Sequence, residues 1–175
     1  MRKNHFTSII FVGFATILFL SLNSITKAQV DKARGVNWNN ASALMSKIEN
    51  AVGTGDRKEL NDRLNEFKDN LTYVVDQLQH VGDRLHEKDR QWRWKDFREV
   101  AVTKVRQTAV IAGTFQSEVN SADNSTIAKD YNDLKSSWAE SINSSNDLWR
   151  EYLAHKKELD DIMKAFLEDC QECGK

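Results

Sequence analysis

Apolar residues recur along this chain in steps of three and four from about residue 38 onward, and strand-like alternation is not evident. The cleanest run is Leu60, Leu64, Phe67, Leu71, Val74, Leu78, Val81 and Leu85, which steps four and three without a miss. It predicts a helix from Arg57 to about Glu87, ~45 Å long, that buries a single seam. Before it, Trp38, Ala41, Met45, Ile48 and Val52 predict a short helix over Asn40–Val52, preceded by a loose arm over Gln29–Asn37. Gly53-Thr54-Gly55-Asp56 stops that helix, and Asp56 is placed to cap the next.

A third stripe, Trp94, Phe97, Ala101, Val105, Thr108, Ala112, Phe115 and Val119, is widened by Val102, Ala109 and Ile111. The broader face makes this the more central helix, ending at Ser121-Ala122-Asp123-Asn124. Ile127, Tyr131, Leu134 and Trp138 carry the pattern on from Ser125. Asn143-Ser144-Ser145-Asn146 are poor helix formers, so the expectation is a break there, with helices over 125–142 and 147–172. The last helix bears Trp149, Tyr152, Leu159, Met163, Phe166, Cys170 and Cys173 on one stripe. The resulting expectation is an all-α fold, an antiparallel up-down four-helix bundle with a short extra N-terminal helix. The alternative keeps the last two helices continuous and lets the first complete an elongated coiled-coil hairpin, and it is disfavoured by the width of the apolar faces.

Residues 1–28 are expected to lie outside that fold. Arg2 and Lys3 precede an apolar run from Ile9 to Leu22, and Thr26-Lys27-Ala28 puts small residues at −3 and −1 before Gln29. That is the layout of a cleaved secretory signal, and the run is short against the ~20 residues of a membrane span. The expected domain is therefore 29–175, secreted or periplasmic, with no stable membrane insertion after cleavage. Removing 1–28 takes away three cations and no acid, which moves the net charge from −1 to −4. A mildly acidic surface of mixed sign argues against nucleic acid as a partner.

Both cysteines, Cys170 and Cys173, sit at the end of the last helix beside Glu168, Asp169 and Glu172. Acidic neighbours and a helix C-terminus raise thiol pKa values, which argues against redox exchange. A terminal disulfide, inert thiols and half of a thiolate metal site all remain open. An exported helical bundle whose last helix ends in Cys170-Gln-Glu-Cys173 also resembles cytochrome c-prime, whose motif there is C-x-x-C-H. The resemblance implies covalent haem with Cys170 and Cys173 as attachment points. Gly174 stands where the family has its histidine ligand, so only the two cysteines carry over.

His80 and His86 lie off the buried seam at no ligand spacing, and His155 is too far back along its helix to reach the cysteines. No zinc-protease motif, phosphate loop or isolated carboxylate pair is evident. Trp92 falls outside the stripe that holds Trp94 and, beside Arg93 and Lys95, reads as bundle-end packing or a recognition patch. Asn40, Asn70, Asn124 and Asn143 match the glycosylation acceptor pattern. The functional expectation is a non-catalytic exported bundle with a binding or structural role, a protein partner or self-association, and no cofactor. The alternative is a haem or metal carrier that uses Cys170 and Cys173.

Overall fold

In the computed structural model, which describes residues 25–81 and 94–172, the elements are all helices: α1 (Lys27–Thr54), α2 (Arg57–Gln79), α3 (Trp94–Glu118) and α4 (Asn124–Glu172). Helix α1 begins at Lys27 rather than Asn40. Thr26 caps it through a reciprocal box, its side chain accepting from the Gln29 amide at 3.3 Å while Gln29 Oε1 accepts from the Thr26 amide at 2.8 Å. Gly35 breaks the helical path with φ 75° and ψ −171°. The Arg34 carbonyl next to the kink accepts from Gln77 Nε2 of α2 at 2.6 Å. Val30 is buried ahead of the kink and Trp38 behind it. The kink shifts the phase between these two, which is why the sequence pattern there reads as a loose arm.

The turn from α1 to α2 follows its local chemistry. Gly55 takes φ 71°, and the Gly55 and Asp56 amides donate to the Val52 and Ala51 carbonyls. Asp56 then caps α2 by accepting from the Glu59 amide at 2.9 Å. Every apolar position of the α2 stripe from Leu60 to Val81 is buried, while Leu85 lies outside the described residues. Arg63 bonds Glu59, one turn earlier, at 2.7 Å and also Glu66 at 2.6 Å.

Two arginines tie α2 to α3. Near the start of α2, Arg57 donates to the Val119 carbonyl at 3.1 Å and to Asn124 Oδ1 at 2.7 Å. Near the start of α3, Arg98 donates to the carbonyls of Gln79 and Val81 at 3.0 and 3.1 Å. Each cation thereby satisfies carbonyls left over at a helix C-terminus.

Helix α4 runs through Asn143–Asn146 without a break, contrary to the sequence expectation. Leu134, Trp138, Ser141, Ser145 and Leu148 step four, three, four, three, and all are buried. The two serines are small members of the apolar stripe, and packing outweighs their weak helix propensity. Consecutive helices pack on one another, and α1 also packs on α4. At one level of the core Trp38 stacks on Trp138 at 5.1 Å and Phe67 meets the same ring edge-on at 5.5 Å, joining α1, α2 and α4. The expected five helices are thus four: the N-terminal accessory is part of α1, and the last two are one.

Candidate functional site: the groove between α3 and α4

Helices α3 and α4 are held together beneath the surface by hydroxyl groups. Thr108 is fully buried, and its Oγ1 lies 2.7 Å from Ser137 Oγ and 2.9 Å from Ser141 Oγ. It also donates to the Lys104 carbonyl at 3.1 Å. Lys104 Nζ reaches across to Glu140 at 2.8 Å. Small hydroxyl side chains let the two helices approach and still satisfy one another's polar atoms.

Outside this seam the helices leave an open groove of about 1030 Å³. Its floor includes buried Phe115, half-buried Ile111 and the Ser137 hydroxyl. Val110 stands on its rim with 70% of its surface exposed. Charge is distributed unevenly along it. Arg106 lies at the end marked by the Lys104–Glu140 pair, while Glu118 and Asp130 lie toward the α3–α4 turn. Lys129 is occupied by Asp133 at 3.7 Å. Among the described residues, neither Arg106 nor Glu118 has a side-chain ion pair or hydrogen bond, and Asp130 Oδ2 is shielded from solvent with no hydrogen-bond partner.

An apolar floor with an exposed valine and unpaired charge of opposite sign at its ends suits non-covalent recognition. The sequence reading missed the groove. Val110 and Val100, exposed by 70% and 51%, are apolar residues outside even the widened α3 stripe, and that was the available signal.

No family model, curated protein or solved structure matches this chain.

The residues singled out from sequence fall elsewhere. Cys170 is in the last turns of α4, with its side chain outside the described residues, as is the whole of Cys173. Trp92 and His86 also lie outside them. His80 faces Asp76 at 3.5 Å and His155 faces Glu158 at 3.5 Å, each on its own helix. Among the described residues no group of three or more His, Cys, Asp or Glu side chains is placed to hold a metal ion. No described helix is long and apolar enough to cross a membrane. Asn40, Asn124 and Asn143 are exposed, whereas Asn70 is half-buried with Oδ1 shielded.

Proposed function

We propose that this chain is an exported, non-catalytic four-helix bundle, antiparallel and up-down in arrangement, that binds a protein partner in the α3–α4 groove. The single observation that carries the binding role is the groove itself, with Val110 exposed at its rim and Arg106 and Glu118 unpaired at opposite ends. The up-down arrangement is supported by the reciprocal arginines, since Arg57 at the start of α2 reaches the end of α3 and Arg98 near the start of α3 reaches the end of α2.

Export is supported by the basic start, the apolar run and the small residues before Gln29. Cleavage there falls inside the first turn of α1 and removes Thr26, but leaves buried Val30 and the Gln77–Arg34 link in place. Gel filtration of the unfractionated native compartment tests the binding role. Val110→Asp is expected to move the protein from a larger complex to the elution position of the free chain. Val100→Asp, on the same helix but off the groove, is expected to leave the complex intact. Elution of wild type and Val110→Asp at the same free position contradicts the proposal.

A further inference from the structure

The charge pattern of the groove identifies its occupant. On α3, Arg106 and Glu118 lie six residues to either side of Ala112, and Val110 and Thr114 lie two to either side. All four side chains line the same groove. A two-fold axis passing beside Ala112, perpendicular to α3, therefore exchanges the cationic end of one groove with the acidic end of another. It sets Arg106 of one copy against Glu118 of the other, about 18 Å from the mirrored pair. Val110 and Thr114 fall at the centre.

An isologous interface requires one surface to be complementary to itself, with both projection and recess on each copy. The groove meets that requirement, with Val110 as projection and the Ile111–Phe115 floor as recess. An unrelated acidic or basic partner would be matched by a groove of one sign. This groove carries unpaired charge of both signs, one at each end.

We propose that the partner is a second copy of this chain, bound two-fold through α3 and α4 in the groove. The proposal rests on the binding role assigned to the groove above, and it names the partner. Alternatives such as a different protein become outcomes of the test.

Sedimentation velocity on protein purified after expression of the full chain, in reductant so that no bridge through Cys170 or Cys173 contributes, measures it. A reversible dimer is expected. Arg106→Glu and Glu118→Arg should each weaken it by about tenfold or more, since each places like charges together. The double variant R106E/E118R restores the pairing with signs exchanged and should recover dimerisation to within a fewfold of wild type. Val110→Glu, at an exposed site, should abolish it while leaving the helix content read by circular dichroism unchanged. A monomer up to about 100 μM overturns the proposal, as does a dimer indifferent to the single variants, or a double variant no better than either single. A monomeric purified protein beside a Val110-dependent complex in native extract removes self-association and leaves the groove's binding role standing. Failure of both removes the two together.

Discussion

Two buried hydroxyl groups on neighbouring turns of α4 behave oppositely because only one has a partner. Ser141 Oγ shares a hydrogen bond with Thr108, whereas Ser145 Oγ is buried with no partner among the described residues. Thr108→Val keeps the shape but leaves the hydroxyls of Ser137 and Ser141 without it, and buried Ser141 has no solvent to turn to. The expected cost is about 1–3 kcal/mol. Ser145→Ala removes an unsatisfied polar atom from the core and should be neutral or stabilising by up to about 1 kcal/mol. Urea denaturation of both variants checks the pair. Equal destabilisation would mean that hydroxyl partnership is not what separates these positions. Sequence alone could not distinguish them, since both are serines in a run that reads as a helix breaker. The distinguishing fact is a threonine 33 residues away on another helix.

At the scale of elements, the seams of α2 and α3 were legible because their stripes keep the three-and-four spacing without a miss, on leucine, valine and phenylalanine in α2 and mainly on valine, alanine and phenylalanine in α3. The caps at Gly55 and Asp56 were legible for the same local reason. The ends of α1 and the continuity of α4 were not. In α1 a glycine resets the helical phase, and in α4 small serines stand where the pattern requires apolar residues. Gly35 sits in a backbone region open essentially to glycine alone, and a Cβ there would lie 3.2 Å from Gln77 Nε2. Gly35→Ala should therefore cost about 1–3 kcal/mol. Gly53→Ala, in regular helix with open space around its Cβ position, should gain roughly 0.5–1 kcal/mol. A Gly35→Ala variant as stable as wild type would contradict the kink.

The seam between α1 and α4 carries a pH dependence. Lys135 Nζ donates to Glu49 at 2.9 Å, and this bond, followed by one from Tyr131, holds the Glu49 carboxyl below its usual value. The folded pKa lies below the unfolded one of about 4.3. Its contribution is fully present above that value and is lost as pH falls through the folded pKa. Lys135→Met should flatten the acid limb of a melting-temperature profile below about pH 4.3. The same slope in the variant as in wild type would place the acid sensitivity elsewhere, for example at Asp123, which accepts from the Thr126 amide at 2.7 Å ahead of α4 and whose carboxyl is lowered by that bond.

For the molecule as a whole, the all-helical class followed directly from the spacing of apolar residues, and the helices pack as that spacing requires. The candidate site did not follow. Attention to Cys170 and Cys173 came from their rarity, a property of composition. The groove lies along the outer side of the hydroxyl seam between two packed helices, a property of three dimensions. On each helix taken separately its charges fall outside the apolar stripe, as any solvated charge does. Only the packing of α3 on α4 shows that Arg106 and Glu118 remain unpaired at opposite ends of one recess.

Photo-crosslinking from within that recess tests the central claim most directly. A benzophenone amino acid replaces Val110 in the groove or, as the control, Tyr73, which is 63% exposed and does not line the groove. Irradiation in the native compartment should give a covalent protein adduct from position 110 and none from position 73. Equal yields from both positions, or no adduct at position 110, would contradict the assignment of the groove as the binding site.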